Sequence, residues 1–201
     1  MKRFHRVTNP RVIDGKVQRK NRTDLSPSCF STVRPLPALE RHKPGFGYRH
    51  VLKLRDVASF LRLLPDWSNL SQGLNAIVLA PGHRDYGGWH VPGVVTVCAW
   101  ERELWREVDS HWYSAHSGLC ERLEVPCEPI GGGHYRCRFT EASIRAYQLL
   151  HVLLHELGHH HDRMTTKVQK DSCRGEDFAE RYALDYEQVI WDRYLQEFGL
   201  Y

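Results

Sequence analysis

The chain has 201 residues, 41% of them hydrophobic and six of them Trp, enough for one substantial core with appendages and too little for two full domains. Its net charge of +4 hides an asymmetry: residues 1–45 hold eleven Lys/Arg against three Asp/Glu, and the remainder holds seventeen against twenty-one. No apolar run reaches the ~18 residues of a membrane span, no apolar signal segment follows Lys2, Arg3 and Arg6, and the six cysteines form no C-x-x-C pair. The expectation is a cytoplasmic protein with free thiols and no membrane anchor.

Residues 1–45 carry few aromatics, no sustained period and several prolines, so they read as a basic arm that is extended or disordered. The charge suits a nucleic acid or an acidic partner, but no RNA-type aromatic interleaving accompanies it, and a solvated tail is the simpler reading. Residues 46–201 then form a single domain.

Within that domain, 48–54 (YRHVLKL) reads as a strand and 56–64 (DVASFLRLL) as an amphipathic helix stopped by Pro65. The β-branched runs 75–79 (NAIVL) and 94–100 (VVTVCAW) read as strands. Residues 101–117 show a helical period through Leu104, Trp105, Val108 and Trp112, ending before Gly118. After Gly131-Gly132-Gly133, residues 134–139 (HYRCRF) alternate as a half-exposed strand. Cys120, Cys127 and Cys137, with His134 nearby, are spaced too loosely for an ordinary zinc site and read as small buried hydrophobes.

Thr140 caps the next predicted helix, which runs to about Arg163 and is apolar around most of its circumference, so it is central and buried. Inside it lies His155-Glu156-Leu157-Gly158-His159. Residues four apart share a helix face, so the two imidazoles can share one metal ion, with Glu156 placed to take a proton from a zinc-activated water. Zinc in a hydrolase usually takes three protein ligands, and Glu176, at the start of a last helix over 175–198, is the best third candidate. Glu180, one turn on, can accept the free ring N–H of His155, and Asp162 can orient the His159 ring or lie at the surface. His151 lies a turn before His155, too far from His159 to share an ion, and reads as a hydrogen-bonded core histidine or a supporting residue. His160 and His161 are expected in solvent.

HELGH with the downstream Glu176-Asp177-Phe178-Ala179-Glu180-Arg181-Tyr182-Ala183 resembles the gluzincin metallopeptidases, and is most similar to small ImmA/IrrE-type proteins. Their second motif reads roughly E-x-x-A-N/D-x-F/Y-A, and here Glu180 replaces the Asn or Asp. The resemblance covers about residues 133–190. It implies an α+β, zincin-like fold in which a small mixed sheet packs on a central active-site helix and a long C-terminal helix. It also implies a zinc peptidase with ligands His155, His159 and Glu176 and general base Glu156, and a peptide or protein substrate paired to an edge strand, either HYRCRF or VVTVCAW. Oxyanion helpers of the right type include His134, Tyr135 and Tyr182, and spacing assigns none. The competing expectation is a non-catalytic zinc-containing regulatory or nucleic-acid-binding protein. A purely structural site has no need of Glu156 beside its ligands, which favours the enzyme.

Overall fold

A computed structural model describes residues 12–13, 16–17, 36–167 and 173–200. The extended or disordered state expected of the basic arm falls largely outside these residues. Of the arm, the described parts are the antiparallel pair β1 (Val12–Ile13) and β2 (Lys16–Val17), and residues 36–45. Strand β3 (Ala38–Arg41) lies within those ten and belongs to the main sheet, which therefore starts earlier in the chain than residue 46.

That sheet has four strands in the order β3, β5 (Ala76–Ala80), β7 (Val94–Cys98), β6 (Gly88–Val91). β3, β5 and β7 are parallel, and β6 returns antiparallel to β7 through a turn in which Gly93 has a φ of 79°. All residues of β5 and β7 are buried, which is why both read as continuous apolar runs rather than alternating ones. Ile77, Leu79, Val95 and Val97 join the principal core, and Ala38, Ala76, Val78 and Val94 form a smaller cluster. A short pairing of β4 (Tyr48–Arg49) with β8 (Trp100–Glu101) flanks the sheet.

The expected strand over 48–54 shrinks to β4, because α1 (Leu54–Leu61) starts at Leu54, with Lys53 N–H donating to Asp56 Oδ2 at its head. A four-residue helix, α2 (Trp67–Leu70), follows. The expected helix over 101–117 is corrected. Residues Trp105–Asp109 form β9, paired residue for residue with β11 (His134–Arg138), and α3 runs from Ser110 to Arg122. The apolar spacing of that stretch fits a helix, but Asp109 caps α3 by accepting the Trp112 N–H, and a cap residue is non-helical. A strand the sequence reading missed, β10 (Cys127–Gly131), completes a second antiparallel sheet in the order β10, β11, β9. The β10–β11 reversal uses Gly131, Gly132 and Gly133 at φ of 88°, 60° and 74°, open to glycine and costly for other residues.

The central helix is α4 (Glu141–Tyr147), a π-helical segment (Gln148–Leu153) and α5 (Leu154–Thr165) without interruption, 25 residues in all. Thr140 caps it as expected, accepting the Ser143 N–H. Gln148 ties it to the sheet by donating to the Cys98 carbonyl at 2.8 Å. α6 (Gly175–Phe198) folds back along it, burying Ala179, Tyr182, Ala183, Ile190 and Tyr194. The molecule is thus α+β, with small mixed sheets packed on a central helix and a long C-terminal helix. Among the described residues no helix is long and apolar enough to cross a membrane.

Candidate metal centre

The HELGH residues lie in α5, starting two residues after the π-helical segment ends at Leu153, and face a groove of about 530 Å³ between β6 and the start of α6. His155 Nε2 and His159 Nε2 are 3.1 Å apart, as residues four apart on an α-helix allow. Glu176, in the first turn of α6, reaches both: its carboxylate oxygens lie 3.0 Å from His155 Nε2 and 3.4 Å from His159 Nε2. Ligands at 2.0–2.1 Å from a tetrahedral zinc stand about 3.3 Å from one another, so these three separations fit the edges of a zinc coordination shell. The Glu176 side chain is 81% exposed and sits at the mouth of the groove, whereas His159 is buried.

Glu180 takes the place expected of it, with Oε2 accepting from His155 Nδ1 at 3.2 Å. That bond puts the proton on Nδ1 and leaves the Nε2 lone pair for a cation. Burial works against a charged His155, but the Glu180 hydrogen bond and the carboxylates of Glu156, Glu176 and Glu180 outweigh it and raise its pKa. His159 moves the other way, lowered by burial and by the neighbouring His90 and His155. The His155 bond in turn holds the Glu180 carboxyl below its ordinary range.

Asp162 is fully buried at the end of α5, but its carboxylate is taken by Arg174, whose backbone N–H and Nε donate at 2.7 and 2.8 Å. His159 Nδ1 is buried without a hydrogen-bond partner. Asp162 therefore fastens the head of α6, two residues before Glu176, and does not hold the His159 ring. The expectation for His160 is also corrected. It is 2% exposed, donating from Nε2 to the Gln72 carbonyl and accepting from Arg163 at Nδ1, and burial pushes its pKa down to about 4. His161 is half-buried against Phe178 and Tyr182.

Neither strand named as a substrate edge is one. VVTVC lies between β5 and β6, and HYRCR lies between β10 and β9. The edge beside the helix is β6, missed in the sequence although Gly88–Val91 alternates and is closed by Pro92-Gly93. It brings His90 over the site, with the ring stacked on His159 at 4.5 Å and Nδ1 3.5 Å from Glu156 Oε2. His90, Glu156 and His159 form a second three-residue group whose ligand atoms converge. It would use Glu156 as a ligand, whereas the first set leaves that carboxylate free beside the imidazoles. His134, Tyr135 and Tyr182 do not line the groove; Tyr86, His90, His116 and Tyr147 do.

Cys127 and Cys137 are cross-strand neighbours, and no disulfide joins the described cysteines. No candidate metal group among the described residues includes them. Comparison with protein-family models, with curated proteins and with solved structures returns no match.

Proposed function

We propose that the protein is a zincin-like, zinc-dependent metallopeptidase that hydrolyses peptide bonds in the groove between β6 and the central helix. The observation that carries this reading is the convergence of His155, His159 and Glu176 at 3.0–3.4 Å with a separate carboxylate, Glu156, beside them on the groove wall. Zinc held there would supply a Lewis acid that lowers the pKa of a water to about 7 and polarises a carbonyl. Glu156 accepts the water's proton and delivers it to the leaving amine, as a general base and then a general acid. His90, close to Glu156 Oε2 and stacked on His159, restricts where that carboxylate points. An extended peptide adds to the free side of β6 through backbone hydrogen bonds, the usual mode of strand addition. Glu180 keeps His155 in the tautomer that presents Nε2.

Purified protein is expected to bind zinc and to cleave a randomised peptide library or an unfolded protein. His155→Ala, His159→Ala and Glu176→Ala should each remove one equivalent of zinc and the activity. Glu156→Gln should keep the zinc and lose about 10²–10⁴-fold in rate. Full zinc content in Glu176→Ala with loss in His90→Ala would overturn the ligand set. Stoichiometric zinc with no cleavage by the wild type would overturn the enzyme in favour of a non-catalytic zinc protein.

A further inference from the structure

Beyond the HELGH site, three helices send one side chain each to a common point on the same groove. His116 comes from α3, His151 from the π-helical segment and Glu180 from α6, and their ligand atoms lie within 4.8 Å of one another. His116 Nε2 and His151 Nε2 are 3.1 Å apart, and Glu180 Oε2 is 3.8 Å from His151 Nε2. We infer that His116, His151 and Glu180 form a second divalent-metal site, selective for zinc-class cations, that ties α3, the central helix and α6 together.

The tautomers support it. His116 Nδ1 is 2.8 Å from the Trp112 carbonyl, which only accepts, so the proton sits on Nδ1 and Nε2 is a bare lone pair. An outer bond from the second ring nitrogen to a backbone carbonyl is the usual support for a metal-binding histidine. The ring is further held by stacking on Trp112, 4.3 Å between centroids. His151 is 6% exposed and is held on the rigid central helix, so its Nε2 stands at a fixed position 3.1 Å from His116 Nε2. Its Nδ1 lacks a partner whether Nε2 donates to His116 or binds an ion, so that orphan atom favours neither state. Two imidazoles and a carboxylate are a borderline-soft set suited to zinc, copper or nickel and unsuited to magnesium or calcium. Because all three residues line the groove, a cation from solvent reaches them.

The site is distinct from the first. The His155 ring separates them, turning Nε2 to Glu176 and Nδ1 to Glu180. The inference therefore does not require the peptidase reading, and the two fail separately.

Equilibrium dialysis of the full chain against buffered free zinc, with metal analysis, tests it. Wild type should take up two equivalents, His116→Gln or His151→Gln one, Glu176→Ala one, and the His116→Gln/Glu176→Ala double variant none. A second rise in Tm should accompany the second equivalent and be missing in His116→Gln. Near-UV circular dichroism checks that the variants fold; if His151→Gln does not, the partly exposed His116 carries the test. Saturation at one equivalent that Glu176→Ala removes and His116→Gln leaves would overturn this site and spare the first. Saturation at two equivalents unchanged in both histidine variants would overturn it as well.

Discussion

At the scale of single residues, the relative placement of His155, Glu156 and His159 was legible because the spacing on one helix fixes it before any tertiary contact forms. His90 was illegible: it reaches Glu156 from a strand 66 positions earlier, and only the pairing of β6 with β7 puts it there. Gly88 shows how tight that approach is. A Cβ at Gly88 would lie 2.7 Å from the Thr96 carbonyl and 2.9 Å from both Cγ and Oε1 of Glu156. The carbonyl belongs to the paired strand and cannot retreat, so the methyl displaces either β6 or the Glu156 side chain. Gly88→Ala is expected to keep zinc content and lower kcat/KM at least tenfold, at a stability cost of about 1–3 kcal/mol. Wild-type turnover in this variant would show that β6, and not the Glu156 side chain, gives way to the methyl.

Elements were read with uneven success, for reasons visible in particular segments. The central and C-terminal helices were found because long apolar periods and the Thr140 cap agree with each other. β9 was mistaken for helix because Trp105 and Val108, three apart, fit a helical period, whereas on the strand they fall on opposite faces, Trp105 exposed and Val108 buried. The α5–α6 packing, by contrast, depends on a residue inside the motif that spacing arguments ignore. A Cβ on Gly158 would meet Ala179 Cα at 2.9 Å, Tyr182 Cβ at 3.1 Å and the Ala179 carbonyl at 3.2 Å. These are atoms of the α6 backbone or next to it, so Gly158→Ala has to push α6 away and carry Glu176 with it. The expected result is zinc affinity weakened tenfold or more with His155 and His159 intact, measured by competition with a chelator. Gly118 supplies the contrast, since in mid-α3 its added Cβ meets only Arg122 Nη1 at 3.7 Å. Gly118→Ala should stabilise by up to about 1 kcal/mol through helix propensity and leave zinc affinity unchanged.

Across the whole molecule, the candidate metal groups join elements that lie apart in the chain: His155 and His159 of α5 with Glu176 of α6, and His116 of α3 with His151 of the central helix and Glu180 of α6. Glu176 is largely exposed at the head of α6, and Arg174, two residues before it, is anchored to the Asp162 carboxylate. A cation bound between α5 and α6 in the native state, and weakly or not at all in the unfolded chain, must stabilise the fold by mass action. At free zinc a thousandfold above Kd the gain is about 4 kcal/mol, which for a domain of this size corresponds to roughly 8–16 °C in Tm. Calorimetry of chelator-stripped and zinc-loaded protein should show that difference. Glu176→Ala should keep only the part contributed by His116, His151 and Glu180, and the His116→Gln/Glu176→Ala variant should melt at one temperature with or without zinc. The raised pKa of His155 sets the pH dependence: below it, protons compete with the cation for that nitrogen, so the zinc-induced rise in Tm shrinks as pH falls. A zinc effect on Tm that is constant from pH 8 to pH 5, or that survives in the double variant, would place the cation somewhere other than these histidines.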